Sequence, residues 1–125
     1  MIIGHGIDLV SIGRMKSGMD RWGEKFINKI FCENEKAYCQ SKPQSEKHYA
    51  SRFAAKEAFL KALQTGLTSG ISLHDIVVES NDSGVPHLSL SGRALQIAKE
   101  RGVNKIFLSL SDENDYSMAS VILTA

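Results

Sequence analysis

Only two cysteines, two prolines and one tryptophan occur among the 125 residues. Cys32 and Cys39 fall in a stretch that reads as helical. A rise of about 1.5 Å per residue would set them about 10 Å apart, too far for a disulfide. Neither forms a C-x-x-C pair or adjoins a histidine, which argues against zinc and for reduced, structural thiols. An excess of charge of either sign is also missing: 15 basic residues face 14 acidic ones, for a net charge of +1. No global field therefore favours nucleic acid. No run approaches the roughly 18 apolar residues of a membrane helix. The opening Met1-Ile2-Ile3-Gly4-His5 lacks the basic and apolar regions of a secretory signal. The expectation is a cytoplasmic protein with no membrane partner.

Familiar catalytic patterns are absent too. There is no P-loop, and Gly4-His5-Gly6 is too short to count as a dinucleotide fingerprint. Ser11, Ser69 and Ser111 lack the context of a nucleophile elbow. His5, His48, His74 and His87 show no metal-ligand spacing.

What is present suits one domain over residues 1–125, built around one core. The predicted order is strand, a run of helices, two strands, a helix and two strands. The first strand, Ile2 to Ile12, puts Ile3, Ile7 and Leu9 on one face. Gly4, Gly6, Asp8 and Val10 lie on the other. A basic helix should run from Arg14 to about Trp22, followed by helices over Glu24–Ile30 and Glu33–Gln40. Pro43 then breaks the pattern. The longest helix is expected from an N-cap at Ser45 to Leu63, with Tyr49, Phe53, Leu60 and Leu63 as its buried stripe. Leu73–Ser80 and Val85–Leu90 read as a hairpin around Asn81-Asp82-Ser83-Gly84. Gly92–Arg101 reads as a helix. Lys105–Ser111 and Tyr116–Thr124 form a second hairpin. The expected class is α+β, with helices packed on a small, largely antiparallel sheet.

Two carboxylates stand where apolar or neutral residues would pack better. Asp8 interrupts Gly6-Ile7-Asp8-Leu9-Val10, and a buried carboxylate is costly unless paired or bound to a metal. Gly4 and Gly6 on its face leave room for a ligand, although a solvated face would also explain Asp8. Glu57 borders the buried stripe of the long helix, with Lys61 four residues on, so an ordinary helix ion pair accounts for the spacing cheaply. Together the carboxylates could hold Mg²⁺, with water and phosphate oxygens completing its octahedron. Arg52, Lys56 and Lys61 could then neutralise phosphate charge; for Arg52 and Lys56 the alternative is an exposed basic face. Arg14, Lys16 and Arg21, interleaved with Met15, Met19 and Trp22, suit docking onto an acidic helix with an apolar patch. An ordinary amphipathic helix explains them as well. Two other readings fit the same residues: a small trimeric metal-dependent nucleotide phosphohydrolase, and a non-catalytic module gripping an acidic helical partner.

The chain resembles the holo-acyl-carrier-protein synthases, the short branch of the 4′-phosphopantetheinyl transferases. Gly6-Ile7-Asp8-Leu9-Val10 followed by Ile12-Gly13-Arg14 is similar to their N-terminal motif. Phe53 to Lys61 is similar to their signature W/F-x-x-K-E-[AS]-x-x-K. Thr65-Gly66, Gly84-Val85-Pro86 and Leu108-Ser109-Leu110-Ser111-Asp112 with Tyr116 also fit, in order along essentially the whole chain. The resemblance implies a single copy of that fold. It implies transfer of 4′-phosphopantetheine from coenzyme A to a serine of apo acyl carrier protein, releasing adenosine 3′,5′-bisphosphate, in support of fatty acid biosynthesis. It makes Asp8 and Glu57 the Mg²⁺ ligands and Lys61 a contact to the coenzyme A phosphates. With coenzyme A as substrate, Arg52 is a candidate contact to its phosphates, and Thr65, Gly66, Pro86 and Ser109 are candidate lining for its adenine. Glu57 becomes the candidate base, directly or through a water. Arg14, Met15 and Arg21 become the docking surface for the carrier protein. It further implies a homotrimer with active sites at subunit interfaces. Some members carry a histidine where this chain has Asp112, which puts any histidine contact at that position in doubt.

Overall fold

Glycine and alanine decide how the first strand meets the longest helix. In the computed structural model, which describes residues 1–125 apart from the side chain of Thr68, strand β1 (Ile2–Ser11) lies directly on helix α3 (Ser45–Ala62). A Cβ added at Gly6 would stand 2.1 Å from the carbonyl oxygen of Ala58, and one at Gly4 would stand 2.3 Å from that of Ala62. Only a strand without side chains at these two positions can come so near the helix backbone.

β1 pairs antiparallel with β5 (Tyr116–Thr124), which pairs antiparallel with β4 (Lys105–Asp112), giving the order β1-β5-β4. The register carries Gly6, Val121 and Leu108 across the inner face, and then Asp8, Ala119 and Leu110. The outer face carries the rows Leu9–Met118–Ser111, Ile7–Ser120–Ser109 and His5–Ile122–Phe107. Strands β2 (Ile76–Ser80) and β3 (Pro86–Leu90) form a separate two-stranded sheet, so the expected single sheet is two. Helix α4 (Gly92–Glu100) and the inner faces of both sheets close over α3 around Phe59, Leu63, Ile76, Ile97 and Val121. A second cluster, with Met15, Ile27, Phe31, Cys39 and Tyr49, joins α1 (Ile12–Ile30) and α2 (Glu33–Gln40) to the first half of α3.

Three boundaries differ from expectation for local reasons. α1 begins at Ile12 because the Ser11 hydroxyl accepts from the amide of Arg14, 3.2 Å away. At Gly23, whose φ of 60° and ψ of −140° are non-helical and suit glycine alone, α1 breaks into two helical stretches, as the sequence predicts. α3 is preceded by Gln44 in the left-handed region, with no side-chain cap; Ser45 lies inside the helix. Leu73–Asp75 forms a 3₁₀ turn instead of the start of β2, because Ser72 caps it and Asp75 bonds back to the amide of Ser72. Cys39 is buried, and burial pushes its thiol up to about 12.

The close contact between β1 and α3 predicts that Gly6→Ala will lower unfolding free energy by about 3 kcal/mol, because the clash is with backbone. Gly13→Ala, whose added Cβ meets nothing nearer than 3.8 Å, should change it by no more than about 1 kcal/mol. Urea titrations of both variants measure this directly.

Candidate active site

The approach of β1 to α3 brings together Asp8, Glu57 and Lys61. Lys61 Nζ donates to Asp8 Oδ1 at 2.8 Å and to the carbonyl oxygen of Ile7 at 3.1 Å. Its partner is therefore across the strand, and the expected i,i+4 pair with Glu57 is not found among the described residues. Asp8 and Glu57 line one cleft of about 430 Å³ together with Ser11, Arg14, Phe26 and Phe53. Burial raises the proton affinity of the Glu57 carboxyl; the charge of Asp8 raises it further and Lys61 opposes both. The carboxylates therefore stand near enough to feel each other within a partly desolvated cleft.

Lys56 occupies neither of the positions expected for it, and Arg52 is not part of an exposed basic face. Lys56 is wholly buried, with Nζ 2.8 Å from Glu35 Oε1 and 2.8 Å from the carbonyl oxygen of Leu73. It is neither a free phosphate ligand nor part of an exposed basic face. Arg52 is also buried, with its guanidinium 3.8 Å from the centre of the Tyr38 ring and its Nε without a hydrogen-bond partner among the described residues. It opens into a second cleft of about 200 Å³, beside His48, Gly84, Pro86 and Asp112. Burial, then Lys47, Arg52 and Lys42, push the His48 imidazole down, so its neutral form is favoured there.

The remaining residues named from the sequence fall in three places. Thr65 and Gly66 lie in the loop just past Lys61, with Thr65 Oγ1 hydrogen-bonded to the hydroxyl of Ser69. Ser109 is exposed on the outer face of the three-stranded sheet. Arg14 and Arg21 are exposed on α1, and Arg21 stacks on Trp22 at 5.0 Å. Met15 is turned inward, 4% exposed, and packs with Ile27 and Phe31; it is not available on a docking face. Sequence reasoning missed Glu35, Tyr38 and His48. Glu35 did carry a signal, since an acidic residue three places after a helix cap is a capping-box pattern, here with Cys32 at the cap. Tyr38 and His48 reach the Arg52 cleft only through the packing of α2 on α3, which no local pattern announces.

Two hard oxygen ligands beside one lysine fit a magnesium ion. Among the described residues no third His, Cys, Asp or Glu joins them in a metal-holding group. Further ligands would have to be water or substrate phosphate, as magnesium sites commonly use. Without such a cation, ionised Glu57 faces Asp8 at a cost. Its raised proton affinity means that the folded state binds its proton more tightly than the unfolded one. Stability is therefore lost as pH rises from the ordinary carboxylate range through the raised value. Glu57→Gln should raise the melting temperature of metal-free protein near neutral pH, and the gain should vanish toward about pH 4. Thermal melts across that range in chelator check the sign.

Three comparisons with known proteins agree on where this arrangement belongs. Residues 4–121 match the 4′-phosphopantetheinyl transferase superfamily. The chain is 45% identical over its whole length to the holo-[acyl-carrier-protein] synthase of Trichlorobacter lovleyi, covering 99% of that protein. It is 43% identical to that of Halothermothrix orenii, over 98% of this chain and 97% of the relative. Among solved structures, the holo-[acyl-carrier-protein] synthase of Neisseria meningitidis superposes with a TM-score of 0.90 at 33% identity, with both chains covered completely. The Helicobacter pylori enzyme in complex with coenzyme A gives 0.85 at 28% identity, over 96% of this chain and 99% of that one. With its two carboxylates and lysine drawn together at the seam of β1 and α3, the chain belongs to the holo-[acyl-carrier-protein] synthase family of 4′-phosphopantetheinyl transferases.

Proposed function

We propose that this chain transfers 4′-phosphopantetheine from coenzyme A to a serine of apo acyl carrier protein, with Asp8, Glu57 and Lys61 as its catalytic centre. The observation that carries the reading is the convergence of Asp8 and Glu57 at one cleft, with Lys61 bonded to Asp8, in a chain of this family. The coenzyme A bound to the Helicobacter pylori relative and the 3′,5′-ADP portion seen with the Bacillus anthracis one supply the substrate class.

Asp8 and Glu57 would hold Mg²⁺. When bound there, the ion supplies charge neutralisation for the pyrophosphate as the leaving group departs. Lys61 is 56% exposed and can swing from Asp8 to a phosphate oxygen, adding a charge-assisted hydrogen bond. Glu57 would take the proton of the attacking serine through an intervening water, because a carboxylate that also holds the cation has a lowered pKa and is a poor direct base. The serine oxygen forms a bond to the β-phosphorus, the bond to the bridging oxygen breaks, and adenosine 3′,5′-bisphosphate leaves. Arg52 has the chemistry to receive a phosphate of the nucleotide end, being a buried guanidinium with an unpartnered N–H. Pro86 beside it, with Thr65, Gly66 and Ser109, would complete the lining for coenzyme A. The carrier protein would dock on α1 through Arg14 and Arg21, without Met15. Exposed Trp22 beside Lys25 and Lys29 extends that surface along a groove of about 570 Å³, and Phe26 borders both this groove and the carboxylate cleft.

The nucleotide elements do not meet within one chain: the Arg52–Pro86 cleft and the Asp8–Glu57 cleft share no lining residue, and Ser109 is on the outer sheet face. That face exposes Ile7 by 53%, Leu9 by 61% and Phe107 by 52%. An apolar sheet face of this kind is costly in water and suits subunit contact. A homotrimer closed through it, with each active site completed by a neighbour, accounts for both features. Phe107→Glu should convert the protein to monomers in sedimentation and abolish coenzyme A binding in calorimetry. A variant that remains trimeric would remove that face from the interface.

Intact mass of an apo carrier protein, incubated with this protein, coenzyme A and Mg²⁺ and with an EDTA control, tests the activity. The expected result is a gain of one phosphopantetheine group, lost with EDTA. Asp8→Ala and Glu57→Ala should each lower turnover by at least about 100-fold while remaining folded. Near-normal turnover in either variant at saturating Mg²⁺ would overturn the assignment of the carboxylates.

A further inference from the structure

Helix α3 is smooth where it is most closely packed. Ala54, Ala55, Ala58 and Ala62 are buried along it, and two of its carbonyls face the glycines of β1. Small side chains allow close approach but supply few ridges to interlock and fix rotation about the helix axis. Buried Tyr49, Phe59 and Leu60 supply part of that fixing, and polar side chains add to it. Ser51 Oγ bonds Ser117 Oγ at 3.1 Å, Lys56 bonds Glu35, and Lys61 bonds Asp8. Successive members of this set are five residues apart, hence about 140° around the axis and about 7.5 Å along it. They grip the helix on three sides, and only Lys61 does so at the carboxylate cleft.

We propose that the buried Lys56–Glu35 pair is a positioning device that sets the rotation of α3, and thereby the aim of Glu57 and Lys61 toward Asp8. The proposal rests on the transferase reading above. Glu35 is suited to this part because it ties its own helix to two other elements, α3 and β2. Its Oε1 accepts from the amide of Cys32 at 3.0 Å, at the start of α2, and its Oε2 accepts from the amide of Val78 at 2.9 Å, in β2. Lys56 adds the carbonyl of Leu73 in the 3₁₀ turn. Both side chains are fully enclosed. Desolvating two charges offsets most of what their attraction returns, so net stability is a poor reason for the pair. Direction is a better one. Glu57 follows Lys56 immediately, and a rotation of about 10° moves a group 5–6 Å from a helix axis by about 1 Å. A displacement of that size can cost about 100-fold in rate.

The test compares the parent protein with the double variant Lys56→Met/Glu35→Gln, which is neutral and of similar volume, and with Glu35→Asp, which keeps the charge on a shorter arm. Melting temperature, kcat, KM for coenzyme A and for carrier protein, and Mn²⁺ affinity by electron paramagnetic resonance with coenzyme A present are measured for each. In the double variant, which leaves one backbone amide and the Leu73 carbonyl without their present partners, we expect a lower melting temperature with the fold retained at assay temperature, and both KM values within about twofold. We expect kcat to fall at least about tenfold and Mn²⁺ affinity at least about fivefold. A folded double variant with kcat and Mn²⁺ affinity within twofold of the parent overturns the proposal. Should it not fold, Glu35→Asp decides: kcat should drop at least threefold at unchanged KM, and parental kcat overturns the idea. A parent protein that forms no holo carrier refutes the transferase reading separately, while Mn²⁺ affinity still decides whether the pair aims the carboxylates.

Discussion

The approach of β1 to α3 is the constraint on which the rest of the molecule depends. Gly4 and Gly6 let the strand backbone reach the carbonyls of Ala62 and Ala58, and this brings Asp8 within 2.8 Å of Lys61. Side chains at either glycine would push the strand away and carry Asp8 out of reach of the helix. The same approach makes β1 an edge of the three-stranded sheet with its apolar odd-numbered residues turned outward. One steric fact thus sets both the carboxylate cleft and the exposed sheet face.

Burial of charge follows from the same packing. α3 is enclosed on most sides, so Ser51, Arg52 and Lys56 meet other elements rather than water. Lys56 finds Glu35, and Arg52 finds the ring of Tyr38 but no carboxylate. These two outcomes differ in chemistry. A satisfied buried pair is closed to ligands, whereas a buried guanidinium with an unpartnered N–H retains capacity for an anion. The difference explains why Arg52 and not Lys56 belongs with the proposed coenzyme A contacts, although both carry the same sign and lie four residues apart.

Much of this was legible in the residues, for identifiable reasons. Alternation around Gly4, Gly6 and Asp8 marked the inner face of β1, and Tyr116–Thr124 marked β5 to the residue. Asp8 and Glu57 were visible because ionisable groups at the border of apolar patterns are costly. The fate of Lys56 was not legible, since its partner lies 21 residues away on another helix and exposed lysines are the common case. Met15 misled because a methionine between basic residues looks the same whether it faces a partner or the core. The start of α1 and the 3₁₀ turn before β2 were set by the hydroxyls of Ser11 and Ser72, which compete locally with strand pairing.

The separation of the two clefts bears on why so short a chain can act on a large substrate. Arg52 and Glu57 are five residues apart on α3, which sets them about 140° apart around the helix. A coenzyme A molecule spanning both on one subunit would have to pass around a helix that the sheet and α2 already enclose. Using the Arg52 cleft of one subunit with the carboxylates of another removes that obstruction without added chain. The outer-face row of Ile7, Ser120 and Ser109 lies on the sheet face that would carry the contact, which would put Ser109 at the seam. Trimer formation and substrate binding would then be one event energetically: coenzyme A that bridges two subunits favours the assembled state in proportion to its concentration.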